Sequence, residues 1–356
     1  GCEKTIKFRG EIMNPMLVVS SFVIPDSAIK AVLTESRFFL DEGSGGYGGY
    51  EYNKVTNADF SLYVNNTFKE KLTHTGAGIY RAAYRPKPGE EIRIEAVASG
   101  FESVKATTVI PPQPIILSVD TSSVTEKQYY IGYTGEYNGS NRQDTLSEYT
   151  YKNIRFRVKL RDDGNKKNYY RLVVRKRTYY ENEVNESYLF DFEDIVFGNQ
   201  QTNDIGSLFE FSDNNYFFDT FTDDLFNGKE YDLKFSNSIR ISQKDYKGYD
   251  SQFRKEMRST YYIYLQEISH DYYMYARSSA AAGNQSGNPF TEPVQIYTNI
   301  ANGIGILGSY ASSAPADDIL RQAHHILLLH HIAASADDRA LRSRKSSQPS
   351  PFPHGS

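Results

Sequence analysis

Residues 154–180 read IRFRVKLRDDGNKKNYYRLVVRKRTYY. Ile154, Phe156, Val158 and Leu160 alternate with Arg155, Arg157, Lys159 and Arg161. A period of two puts the apolar side chains on one face of an extended strand and the charges on the other. Asp162-Asp163-Gly164-Asn165 follows, and Asp-Gly is among the best hairpin signals. Tyr169 to Tyr180 then predicts the return strand. Nothing here has the 3.6-residue repeat of an amphipathic helix, so the stretch decides for a β-sheet protein.

Working outward, the same period recurs on both sides. Leu17, Val18, Val19, Phe22, Val23 and Ile24 form an apolar run that stops at Pro25-Asp26. Ile29, Ala31 and Leu33 alternate, as do Phe60, Leu62 and Val64 before Asn65-Asn66. After the turn Pro88-Gly89, Ile92, Ile94, Ala96 and Ala98 alternate up to Ser99-Gly100. Val104, Ala106 and Thr108 follow and end at Pro111-Pro112-Gln113-Pro114, a cluster that cannot extend a sheet. Short strands broken by Gly and Pro at this spacing predict an immunoglobulin-like β-sandwich over 16–114.

The second half, 115–313, reads as a larger antiparallel β domain. Ile115 to Val119 opens it, and a polar, Tyr-rich connection runs through Thr150 to the strand pair quoted first. Further strands are expected at Phe190 to Phe197, Leu208 to Phe211, Tyr216 to Phe221, Tyr231 to Phe235 and Ile239 to Ile241. One short helix is predicted near the C-terminal end, with Ser269 as N-cap, Asp271 in the first turn and Gly283-Asn284 at its end. The fold class is thus mainly all-β. Residues 1–15 read as a tether. Residues 314–356 read as an atypical tail, helical over Ala316 to Ala334 and disordered beyond, where Arg, Ser and Pro dominate.

Composition narrows the function. Length, 356 residues, fits two domains. Net charge is −4 and no basic stripe stands out, which argues against nucleic acid. No apolar run approaches the roughly 20 residues of a membrane span. The only cysteine is Cys2, which excludes a disulfide framework. Gly1 before it and the polar Glu3-Lys4-Thr5 after it match what remains of a bacterial lipobox once a signal peptide is removed. Cys2 is therefore the expected lipidation site, with several acyl chains, palmitate among them, giving an anchor that one chain cannot.

Chemical signatures are sparse. Only His74 and His270 lie in the body of the chain, and neither Gly-x-Ser-x-Gly nor His-Glu-x-x-His occurs. The expectation is a binding protein, not an enzyme, with no cofactor and no metal. Asp219, Asp223, Asp224, Asn227 and Asp232 carry oxygen ligands, but their spacing does not match an EF-hand loop and reads as a solvated turn. His324-His325 and His330-His331 in the tail read as adventitious metal binders. The segment Gly43-Ser44-Gly45-Gly46-Tyr47-Gly48-Gly49-Tyr50 lacks the Lys-Ser/Thr of a phosphate loop. Flexible glycines presenting Tyr47, Tyr50 and Tyr52 suit an adaptable ligand-binding surface, and a plain mobile loop is the competing reading.

Several segments resemble one family: LVVSSFVIPDS at 17–27, the stretch 89–112 ending in TTVIPP, NYYRL at 168–172, FTDDLFNGKEY at 221–231, SHDYYMY at 269–275 and NPFTEPVQIYTNIANGIGILG at 288–308. They are similar to the Bacteroidota outer-membrane lipoprotein family filed as domain of unknown function 4249. The resemblance implies an accessory lipoprotein encoded near SusC-like TonB-dependent transporters and SusD-like lipoproteins. It implies outer-membrane anchoring facing the cell exterior, nutrient uptake, and peptide or glycan cargo. The alternative is a structural or adhesion lipoprotein of the cell surface. The tail departs from the family pattern, which ends soon after the strand matching Gly303 to Tyr310.

Overall fold

The structure, a computed structural model, describes residues 14–36, 53–134, 142–180, 183–188, 190–191, 193–197, 219–245, 258–285 and 295–313. Sixteen strands occur among these residues: β1 Leu17–Val23, β2 Lys30–Glu35, β3 Asp59–Val64, β4 Thr67–Lys71, β5 Thr73–Gly76, β6 Ile79–Arg81, β7 Glu91–Val97 and β8 Val104–Val109 come first. The second half contributes β9 Ile115–Thr134, β10 Arg142–Arg161, β11 Tyr169–Tyr179, β12 Val184–Ser187, β13 Thr220–Thr222, β14 Glu230–Asp245, β15 Arg258–Ile268 and β16 Ile304–Ser312. Among the described residues the one α-helix is α1, His270–Gln285. The protein is mainly β, as the alternation predicts.

The N-terminal half is a two-layer sandwich. One layer runs β4-β3-β7-β8, the other contains β1-β2-β6-β5. Alternate residues Leu17, Val19 and Val23 of β1 meet Phe60, Leu62, Ile92 and Ile94 from the opposite layer, all with 2% exposure or less. Tyr80 fills the same core, and its hydroxyl donates to Val55 O (3.1 Å) and accepts from Ala58 N (2.9 Å).

The second half repeats the principle with different strands. β14-β10-β9 form one layer, and β12-β11-β15 the other, with β13 beside β11. Ile154, Phe156, Val158 and Leu160 of β10 pack over Tyr170, Leu172 and Val174 of β11, so the two strands face each other across the core. The Asp-Gly segment therefore is not the turn of a hairpin. β10 bonds to β9 and β14, and β11 to β12, β13 and β15. The chain arches from one layer to the other, because both strands carry an apolar face and each buries it against the other. The arch is tight: a Cβ on Gly164 would stand 2.7 Å from the Gly228 Cα.

Further segments differ from the sequence reading: Tyr231 to Phe235 and Ile239 to Ile241 belong to one continuous strand, β14. The polar connection up to Thr150 is a long antiparallel ribbon of β9 and β10. Ser122 to Tyr130 are exposed on both faces, so no apolar alternation announces the strand. The segment Phe190 to Phe197 is not a strand. It bridges once, Asp191 to Ser236, and closes with a 3-10 turn, Ile195–Phe197. The readings at Leu208 to Phe211 and over the tail lie outside the described residues, as does most of Tyr216 to Phe221.

One sheet joins the two halves. β16 pairs in parallel with β1, Val18 opposite Ile304 through Val23 opposite Ser309, and antiparallel with β15. Leu307 of β16 sits in the N-terminal core. The Pro cluster at 111–114 thus separates two sandwiches that remain joined through a later strand.

Candidate functional site: an arginine and tyrosine face

Strand β11 alternates between its two sides. Tyr170, Leu172 and Val174 point into the core, while Tyr169, Arg171, Val173, Arg175, Arg177 and Tyr179 point outward and stay half-exposed. β15 runs beside it with Tyr264 opposite Val173, Tyr262 opposite Arg175, Thr260 opposite Arg177 and Arg258 opposite Tyr179. Directly opposed residues share a face of a sheet. Register alone therefore assembles a row of guanidinium and phenol groups on the outside of the second sandwich.

The contacts within this row are specific. The Arg175 guanidinium lies 4.7 Å from the centre of the Tyr262 ring and that of Arg177 lies 5.6 Å from it. Arg258 lies 4.2 Å over the Tyr179 ring. Cation–π contacts of this kind are worth about 0.5–1 kcal/mol at exposed sites. Glu186 of β12 stands opposite Arg177, and its Oε1 accepts from both Nε at 2.8 Å and Nη2 at 2.6 Å. Arg175 Nη1 is farther from the same carboxylate, 3.8 Å. The Glu186 hydrogen bond raises the Arg177 guanidinium above its ordinary pKa. A hydrogen bond from Arg177, then one from Arg258, lowers the Tyr179 phenol.

At the other end of the row Arg171 ties the sheet to α1. Its Nε donates to Asp219 (2.7 Å) and its Nη1 to the Tyr272 hydroxyl (2.8 Å). Burial opposes the Arg171 charge, but Asp219 and Tyr272 outweigh it and its pKa rises. Burial also raises the Tyr272 phenol. Helix α1 starts as predicted: Ser269 Oγ accepts from Tyr272 N (3.3 Å) and also from Ser309 N of β16 (3.2 Å). Asp271 accepts from Tyr297 OH at 2.5 Å and Asn299 Nδ2 at 3.2 Å. Burial, then this Asp271 contact, pushes the Tyr297 phenol up to about 12.

A second polar cluster lies inside the same sandwich, at the arch. Asp162 accepts from the Tyr170 hydroxyl (2.6 Å) and from Gly228 N (2.7 Å). Glu267 accepts from Lys166 Nζ (2.7 Å) and Asn168 Nδ2 (3.0 Å), and Asp223 from Asn168 N (3.0 Å). Asp162, Asp223 and Glu267 are all buried, and burial raises both the Asp223 and the Glu267 carboxyls. Hydrogen bonds to main-chain N–H groups and to the phenol hold the arch in place, which is a structural task.

The residues singled out in the sequence fall as follows. Cys2, Tyr47, Tyr50, Tyr52 and the tail histidines lie outside the described residues. The five oxygen-bearing residues of the turn do not converge. Asp219 is tied to Arg171, Asp224 to Lys167 at 2.8 Å, and Asp232 faces Lys159 at 4.0 Å. Among the described residues no three His, Cys, Asp or Glu side chains are grouped as metal ligands. His74 accepts from Gly78 N (3.3 Å), and His270 meets the Tyr169 ring edge-on. The Arg175–Arg177–Tyr262 row was missed, because sequence alone assigns such alternating charges to a solvated face. The signal available was the repetition of Arg and Tyr at period two in two segments, which only the register brings together.

No helix among the described residues is long and apolar enough to cross a membrane, which says nothing of a membrane crossed by strands. No curated protein matches the chain. A family model described as a domain of unknown function, DUF4249, matches residues 3–314. That span takes in both sandwiches, the arch, the arginine and tyrosine face and helix α1, and the chain belongs to this family.

Proposed function

We propose that the protein is a binding lipoprotein anchored to the outer membrane through Cys2, an accessory to a TonB-dependent, SusC/SusD-like uptake system for peptides or glycans. The observation that carries this reading is the outward row of Arg175, Arg177, Arg258, Tyr179 and Tyr262, pinned by register and by stacking. Arginine and tyrosine are the residues that dominate binding surfaces, because each offers a broad flat contact with polar groups attached. Such a face on a rigid sheet binds without moving. The family resemblance supplies the cellular setting, and Cys2 supplies the anchor.

Two measurements test it. Growth with labelled palmitate should mark the wild-type protein and leave Cys2→Ser unmarked. Affinity purification from native membranes should recover a large β-barrel transporter, identified by mass spectrometry. Recovery without such a transporter, or an unlabelled wild-type chain, rejects the proposal.

A structural or adhesion role is the second reading, and one observation favours it. Among the described residues β9 is an edge strand, and Val124, Tyr129 and Tyr130 stand exposed along it. Open edges invite a partner strand. Polymerisation that grows with protein concentration and is blocked by a Thr125→Pro substitution would favour this role over uptake.

A further inference from the structure

We infer that the outer face of β11 and β15 takes a carboxylate-bearing polysaccharide, with Arg175, Arg177 and Arg258 reading the carboxylates and Tyr262 and Tyr179 carrying the sugar rings. The inference rests on the binding-protein reading and names its ligand class.

Charge is the first argument. Three guanidiniums occupy this part of the face, and among the described residues one carboxylate, Glu186, answers them. Among the described residues the surplus is positive, on a chain whose net charge is −4. Unspent donors are the second argument. Arg177 commits its fork to Glu186, but Arg175 sits 3.8 Å from that carboxylate and its Nε is buried without a partner. The buried Nε is out of a surface ligand's reach, but Nη1 is beyond hydrogen-bond distance of Glu186, so the end of a guanidinium held beside Tyr262 is the part that can meet a carboxylate.

Spacing is the third. Arg175 and Arg177 are two residues apart on one strand, and the pair Tyr179–Arg258 lies two residues further, so the backbone positions that carry the charges recur every ~7 Å along the strand. A regular row of cations beside flat aromatic rings fits a linear polymer that repeats a carboxylate and an apolar ring face. An acidic peptide would satisfy the charges but leave the phenol plates unused.

The test is affinity electrophoresis of the full chain in native gels containing polygalacturonate, neutral galactan or polyglutamate. Polygalacturonate should retard the wild type and the other two should not. The double variant R175Q/R177Q should lose at least tenfold in affinity, and R258Q and Tyr262→Leu several-fold, with unchanged unfolding midpoints. R155Q/R157Q, on exposed positions of β10, should bind like the wild type. If the double variant fails to fold, R258Q and Tyr262→Leu carry the test alone. The inference is overturned if polygalacturonate does not retard the protein, if galactan or polyglutamate retards it equally, or if the β10 variant loses as much as the face variants. Loss of polysaccharide binding while a transporter still co-purifies would remove this ligand and leave the uptake role standing.

Discussion

Gly305 adopts φ +109° beside Val19, and a Cβ there would collide with the Val19 carbonyl oxygen. Only glycine permits that backbone in a strand pressed this closely to its neighbour. Gly305→Ala should destabilise the protein by about 1–3 kcal/mol, read as a lower urea midpoint at unchanged m-value. Asp162 is a second single-residue dependency. Asp162→Ala would leave the buried Tyr170 hydroxyl and the Gly228 N–H unpaired, at a cost of about 1–3 kcal/mol for such a group. The double variant Asp162→Ala/Tyr170→Phe should recover part of that loss, because the stranded phenol is gone. None of this is legible residue by residue in the sequence. NYYRL and FTDDLFNGKEY stand out as markers of the family, but that Asn168 and Asp223 bond to each other follows only once two distant turns meet.

Elements were more readable where one side of a strand is buried. β1, β7, β8 and β11 alternate cleanly, and each appears where the alternation places it, as does the second half of β10, Ile154 to Leu160. Helix α1 was announced by Ser269, and Ser269→Ala should cost about 0.5–2 kcal/mol through the lost cap, measured by thermal or urea unfolding. Partnering was the weak point. The apolar sides of β10 and β11 say that each must be covered, and they do so equally well for a hairpin lying on a third layer or for two strands covering each other. The length of the arch and its contact with Gly228 decide for the second. The β9–β10 ribbon escaped notice for the opposite reason. With both faces in water it has nothing to alternate, and its hydrogen bonds to a neighbouring strand leave no trace in composition. The arginine and tyrosine face shares this difficulty, since period two looks the same for a solvated side and for a binding side.

At the scale of the whole molecule, the buried carboxyls couple folding to pH. Burial raises Asp223 and Glu267 above their ordinary values, so the folded protein holds protons that the unfolded chain releases earlier. Their stabilising contribution is complete below the unfolded pKa, about 4, and is lost as pH rises through the raised folded values. Asp224, lowered by Lys167, works in the opposite direction, but it is exposed and well screened. Replacing Glu267 by Gln removes one of the two titrating groups. Across urea titrations from pH 4 to 8, the difference in stability between variant and wild type should move in favour of Glu267→Gln as pH rises, and a difference independent of pH would refute the linkage. The same scale shows how the halves depend on each other. β16 gives Leu307 to the N-terminal core and Ser312 to a hydrogen bond with Gln266 of β15, so the two sandwiches share a wall.

The parallel pairing of β1 with β16 also has a meaning in time. Leu17–Val23 precedes Ile304–Ser312 in the chain, so a molecule that folds from its earlier segments carries one side of β1 with N–H and C=O groups bare until β16 arrives. Bare edges recruit strands from other molecules. The partly folded molecule, more than the finished one, is therefore the form most exposed to aggregation, and a chaperone serving it would have to shield β1 until β16 docks.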